Sequence, residues 1–125
     1  MNKLYNPDNI FAKIIRKEIP ADIIFEDDLT LVFKDILPAS PIHYLVIPKG
    51  EYVSYSDFIS KASDEIIIDF FKRVNDIASK YGFDGGFRLI TNDGPDANQT
   101  VEHFHVHILG GKEMGGLLTD DKLKR

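Results

Sequence analysis

Apolar positions along the chain change period several times, and each change predicts an element. Ile10, Phe11, Ile14 and Ile15 recur at helical spacing behind Asp8. That spacing predicts a short helix with Asp8 as its N-cap and Pro20 as its stop. Residues 21–26 and 29–35 read as strands, and Asp27-Asp28 between them predicts a hairpin. A third strand is read from Ile42 to Ile47, after a turn bracketed by Pro38 and Pro41 and before Pro48-Lys49-Gly50. The clearest helix runs from Ser63 to Tyr81. There Ile66, Ile67, Phe70, Phe71, Val74, Ile77, Ala78 and Tyr81 keep one broad stripe, with Ser63 as cap and Gly82 as stop. The turn Asp84-Gly85-Gly86 leads into a strand over residues 87–91, and a polar loop from Asn92 to Gln99 leads into a fifth, His103 to Leu109. Strands do not alternate with helices in this order. It therefore predicts an α+β fold: an antiparallel five-stranded sheet with one short and one long helix.

Composition narrows the class. With 125 residues, 43% of them hydrophobic, the chain is expected to form one domain over residues 1–125 with a core of its own. The absence of cysteine removes disulfides, thiolate metal sites and a cysteine nucleophile. A net charge of −5 argues against a general nucleic-acid binder, although local donors could still hold a small anion. No apolar run reaches signal-peptide or membrane-spanning length, so the expectation is a soluble cytoplasmic protein without a membrane partner. Mixed charges from Lys112 onward predict a partly mobile tail.

Candidate chemistry concentrates in His103-Phe104-His105-Val106-His107-Ile108-Leu109. In an extended strand, alternate residues share a face, so three imidazoles line one side while Phe104, Val106 and Ile108 fill the other. Neighbouring histidines then stand about 6.7 Å apart along the strand and the outer two about 13 Å. A solvated face fits such a row poorly. A metal ion could use two of the three with His43 or a carboxylate, but the row supplies more imidazole than one ion needs. Phosphate chemistry uses all of them: one ring attacks phosphorus, one holds oxygens or serves the leaving group, one fixes a tautomer. In the loop ahead, Gly94, Asn98, Gln99 and Thr100 could aim N–H groups and a hydroxyl at an anion.

The run from His103 to Gly111 resembles the signature of the histidine triad (HIT) family, His-apolar-His-apolar-His-apolar-apolar. Residues 10–21, Phe25-Glu26-Asp27-Asp28, Phe33-Lys34-Asp35-Ile36, residues 41–48 and residues 94–101 resemble its purine nucleoside phosphoramidase (Hint-like) branch. The similarity spans about Ile10 to Met114, with 115–125 as a tail. The resemblance implies a nucleotide hydrolase acting on AMP or GMP derivatives through a covalent nucleotidyl-histidine, without a cofactor. It implies His105 as the nucleophile at the α-phosphorus, His107 with Thr100 on the phosphate oxygens, and His103 and His43 in support. Asn92, Asn98 and Gln99 fall on the phosphate or leaving-group side. Asp35 matches the carboxylate for the ribose hydroxyls, and Ile10, Phe11, Ile14, Phe33 and Ile36 match the cleft around the base.

Three departures from the pattern stand out. Asn98 replaces a usual glycine, a change asparagine tolerates best because it enters left-handed conformations. Asn9 and Ala12 stand where some relatives carry a zinc-binding cysteine pair, which argues against a structural metal. The residues from Gly115 to Leu118 lack the tryptophan found near the end of some relatives. The resemblance also implies a homodimer whose two sheets join, with the helix from Ser63 to Tyr81 in the interface. Dinucleoside polyphosphate hydrolysis and a low-turnover nucleotide- or metal-binding interaction protein remain as alternatives.

Overall fold

A computed structural model describes residues 3–123. The first helix, α1 (Ile10–Ile15), is capped by Asn9, whose side chain accepts from the Ala12 amide at 2.9 Å. Asp8 therefore lies one residue outside the cap expected for it. The helix ends before Pro20 is reached: Lys17 turns left-handed (φ 65°), and the amides of Lys17 and Glu18 close onto the carbonyls of Ile14 and Lys13. Strands β1 (Ile23–Glu26) and β2 (Thr30–Lys34) form the expected hairpin, both shorter than predicted. Asp27 explains the tight connection, because its Oδ1 accepts from the amides of Leu29 and Thr30, each at 2.9 Å.

Strand β3 (Ile42–Pro48) is followed by a helix absent from the expectation, α2 (Tyr55–Lys61), capped by Ser54. The long helix α3 (Asp64–Lys80) begins where predicted, with the Ser63 hydroxyl accepting from the Ile66 amide. Strands β4 (Phe87–Ile90) and β5 (Val106–Gly110) complete an antiparallel sheet of order β1-β2-β3-β5-β4. The fold is thus α+β as expected, with three α-helices among the described residues instead of two. Among the described residues no helix is long and apolar enough to cross a membrane.

The sheet separates two apolar layers. On one face Phe58 of α2 and Phe70, Val74, Ile77 and Ala78 of α3 pack against Val32, Val46, Phe104, Val106 and Ile108. Phe58 and Phe104 stack with ring centroids 4.7 Å apart, and both are fully buried, each contributing about 2–3 kcal/mol of hydrophobic stabilisation. On the other face α1 covers Leu31, Phe33, Leu45 and Ile47 with Phe11 and Ile14. The alternation of the histidine segment survives in this division, since Phe104, Val106 and Ile108 all enter the first layer. The strand itself starts later than expected, at Val106, so His103 and His105 precede the ladder. The described tail is tied down: Arg88 of β4 donates to the carbonyls of Gly115 and Gly116.

Candidate active site

A cleft of about 410 Å³ opens on the α1 face of the sheet. Its apolar end is lined by Ile10, Phe11, Ile14, Phe33 and Ile36, and its polar end by Asn92, Asn98, Thr100, His105 and His107, with Asp35 on its wall. Eleven of the residues singled out from the sequence therefore meet in one place. His103, His43 and Gln99 do not line it.

Hydrogen bonds fix the proton on each histidine, because a carbonyl only accepts and an amide N–H only donates. His105 Nδ1 lies 2.7 Å from the His103 carbonyl, so Nδ1 carries the proton and Nε2 keeps its lone pair. The Thr91 hydroxyl donates to the His105 carbonyl at 2.8 Å, and Phe11 meets the ring edge to face at 4.9 Å. Backbone and ring are held together.

His43 Nδ1 accepts from the Ala39 amide at 3.0 Å, so its proton sits on Nε2 and is donated to His107 Nδ1 at 2.8 Å. His107 must then carry its own proton on Nε2. The chain from Ala39 N–H through His43 to His107 runs one way, and each bond polarises the next. Its last donor belongs to a residue on the cleft wall.

His103 is fully buried, its ring meeting Phe11 edge to face at 6.5 Å. Its Nε2 donates to the Pro48 carbonyl at 2.7 Å, and its Nδ1 accepts from the Tyr5 hydroxyl at 2.6 Å. His103 thus sits in the interior, outside the cleft lining.

Burial keeps all four rings neutral. It is the main cause lowering His103 and His107 to about 4, and it lowers His105 and His43 below the ordinary 6.5. Asp35 opposes this for His43, His105 and His107, its negative charge favouring the protonated form. Its Oδ2 is 3.5 Å from His43 Nε2, while its Oδ1 accepts from the Leu37 amide at 2.8 Å.

The loop on the polar side is built by its own side chains. Asn98 is left-handed (φ 59°, ψ 42°), the conformation glycine would supply at that place. Asn92 donates to the Ala97 carbonyl at 2.8 Å while lining the cleft. Gln99 is spent inside the loop: its Oε1 accepts from the Gly94 amide, and its Nε2 donates to the carbonyls of Val53 and Val101. The amides of Asn98 and Gln99 are bonded to Pro95 and Gly94 carbonyls, so neither is aimed at an anion as the sequence suggested. Asp93 fastens the loop to α2 by accepting from the Ser56 amide at 2.9 Å.

Sequence reasoning missed several lining residues: Ile19, Pro20, Ala21, Lys34, Leu45 and Val101. All six fall in segments that resemble the family, but none carries a side chain that marks it as a cleft residue; Leu45 is placed there by pairing with His107 across β3 and β5. It also missed Tyr5 and Thr91, whose roles depend on partners 98 and 14 residues away.

Asp35, His43 and His107 offer ligand atoms within 4.8 Å of one another. Metal binding there would need the Nε2 lone pair of His43. The Ala39 amide, by occupying Nδ1, puts the proton on that nitrogen. The donor set therefore fits a hydrogen-bond relay better than an ion.

Residues 16–114 match the HIT domain family, so α1 and Tyr5 lie ahead of the matched segment. An uncharacterised HIT-like protein of Rickettsia prowazekii is 54% identical over 119 residues, 94% of this chain and 99% of that protein. A protein of Arabidopsis thaliana named adenylylsulfatase HINT1 is 45% identical over 109 residues, 84% of this chain and 72% of that one. Among solved structures, a HIT family hydrolase from Clostridium thermocellum superposes with a TM-score of 0.79 at 40% identity, covering 90% of this chain and 99% of that chain.

Proposed function

The chain is a member of the HIT domain family, with the fold of a HIT hydrolase, and on that premise we propose that it cleaves purine nucleoside 5′-phosphoramidates at the α-phosphorus through a nucleotidyl-His105 intermediate. The observation that carries this reading is the tautomer pattern: a lone pair on His105 Nε2 and a donor on His107 Nε2, both on residues lining one cleft.

The lone pair of His105 attacks phosphorus. An N–P bond forms while the bond to the amine breaks, and the amine leaves with the bonding pair and takes up a proton. The charge on the phosphorylated ring is eased by its Nδ1–H bond to the His103 carbonyl. Water then attacks the same phosphorus, the electron pair returns to His105, and the nucleoside monophosphate is released with loss of a proton to solvent. His107 Nε2–H and the Thr100 hydroxyl stabilise the oxygens as negative charge builds on them. Asp35 accepts from the ribose hydroxyls, and the apolar end of the cleft holds the base. A volume of about 410 Å³ suits a mononucleotide. The name of the Arabidopsis relative adds a reason to include sulfate among the leaving groups tested.

The test is side-by-side turnover of an adenosine phosphoramidate, adenylyl sulfate and a diadenosine polyphosphate, with and without chelator. The expected result is fastest turnover of the phosphoramidate and no effect of chelation. Faster polyphosphate cleavage would favour the dinucleotide reading, and loss of activity on chelation would remove the covalent-histidine account.

The same reading includes a cytoplasmic homodimer with continuous sheets. Exposed Ile68 and Phe71 on α3, and exposed Phe87 and Leu89 on the edge strand β4, are the surfaces a second copy would cover. Sedimentation at micromolar concentration should give twice the chain mass, and a monomer there would contradict this.

A further inference from the structure

We propose that Tyr5 is a positioning residue of this reaction: its hydroxyl anchors the buried His103 ring and so holds the carbonyl that keeps His105 in its attacking tautomer. The proposal rests on the preceding reading of His105 as the nucleophile. His105 depends on the His103 carbonyl for its Nδ1 proton, at 2.7 Å. That carbonyl belongs to a residue outside the β-ladder, which starts only at Val106. The same planar peptide unit is tied at its other edge, by the Phe104 amide donating to the Tyr52 carbonyl at 2.7 Å. The second support of that unit is the His103 side chain, which is fully buried and bonded at both nitrogens.

One of those two anchors is Tyr5. Because His103 Nε2 gives its proton to the Pro48 carbonyl, Nδ1 can only accept, and the Tyr5 hydroxyl donates to it at 2.6 Å. The two rings also meet edge to face at 5.6 Å. Burial raises the Tyr5 hydroxyl above its ordinary value of 10, so it stays a donor across the neutral range. Lys3 pairs with Glu102 at 2.5 Å, fastening the leading segment beside His103. Tyr5 does not line the cleft, so it acts through His103 and not on substrate.

The experiment compares wild type, Tyr5→Phe and Leu4→Ala, the last a change at an exposed neighbour. Steady-state turnover is read beside the ring ¹⁵N signals of the ligand-free protein. For Tyr5→Phe the expected result is a fall in kcat of about tenfold with KM unchanged within about twofold, since a buried nitrogen loses its donor. His105 should then show a mixture of tautomers in place of a single Nδ1–H form, and Leu4→Ala should match wild type. Wild-type kcat and a single tautomer in Tyr5→Phe, even with a lower Tm, would overturn the proposal. If wild type turns over no nucleotide substrate, the preceding reading fails, and the ring signals of Tyr5→Phe still decide the positioning role. Should Tyr5→Phe not fold, wild type decides: a protected Tyr5 hydroxyl proton coupled to His103 Nδ1 supports the role, and an uncoupled, exchanging one overturns it.

Discussion

Replacing His105 with alanine is expected to lower kcat/KM by at least about 10³-fold while leaving the fold intact, because the nucleophile of a covalent mechanism has no substitute. The ring lies over the α1 layer, where it touches Phe11, and takes no part in the larger apolar layer beneath α3. Its removal therefore deletes chemistry and little packing. His105→Ala should still bind nucleoside monophosphate, since the apolar cleft and Asp35 are untouched. Replacing His107 should cost less, because a neutral hydrogen-bond donor to phosphate supplies part of the transition-state stabilisation while the covalent step survives. Steady-state kinetics with a phosphoramidate, beside nucleotide binding by calorimetry, checks both. Equal losses for the two variants would mean that the roles assigned to them are wrong.

Acid is expected to unfold this protein early. The folded-state values of His103 and His107 are lowered to about 4, against 6.5 for the exposed side chain. A lowered value means that the unfolded chain takes up protons first as pH falls. The stabilisation is therefore complete above about pH 6.5 and is lost as pH falls through the folded values near 4. His103 alone, fully buried, should contribute about 3 kcal/mol over that window, a large share of the 5–15 kcal/mol typical of a domain. His107 adds less, being partly open to solvent. Urea titrations at pH 7, 6 and 5 should show unfolding free energy falling by roughly 1 kcal/mol or more per unit below pH 6. A flat profile would contradict the burial argument. Because burial also lowers His105, the acid limb of kcat/KM should lie below pH 6.5, with activity level above it.

The parts of this molecule written in local pattern were legible in the sequence. The alternation of Phe104, Val106 and Ile108 with the histidines placed three side chains in the helix-side layer, and the stripe on α3 placed Phe70, Val74 and Ile77 opposite them. Ser63 announced the start of α3 through ordinary capping chemistry. What escaped was non-local or weakly patterned. Helix α2 buries only Phe58 among its own residues, so seven positions offered no periodicity to read. Asp8 and Asn9 are both good caps, and only the backbone decides that the Asn9 side chain reaches Ala12. Strand geometry predicts three rings on one face, neighbours about 6.7 Å apart along the chain. In the fold His103 leaves the ladder and turns into the interior, and the rings of His105 and His107 lie 5.1 Å apart.

Proton positions were the least legible feature. They depend on the Ala39 amide and on the carbonyls of Pro48 and His103, groups that every residue carries and no motif marks. The same holds for Gln99, which looked like an anion ligand in a polar loop. Its amide is consumed in bonds to Val53 and Val101, and the connection to Val53 exists only because the loop packs beside the start of α2.

His105 should carry the nucleotide between the two halves of the reaction. Rapid acid quench of the enzyme with an adenosine phosphoramidate, followed by intact mass measurement and peptide mapping under conditions that spare phosphoramidate bonds, tests it most directly. The expected product is an adenylyl group added on His105, formed within one turnover and absent from His105→Ala. An adduct on His103, His107 or another residue, or rapid turnover without any adduct, would contradict it.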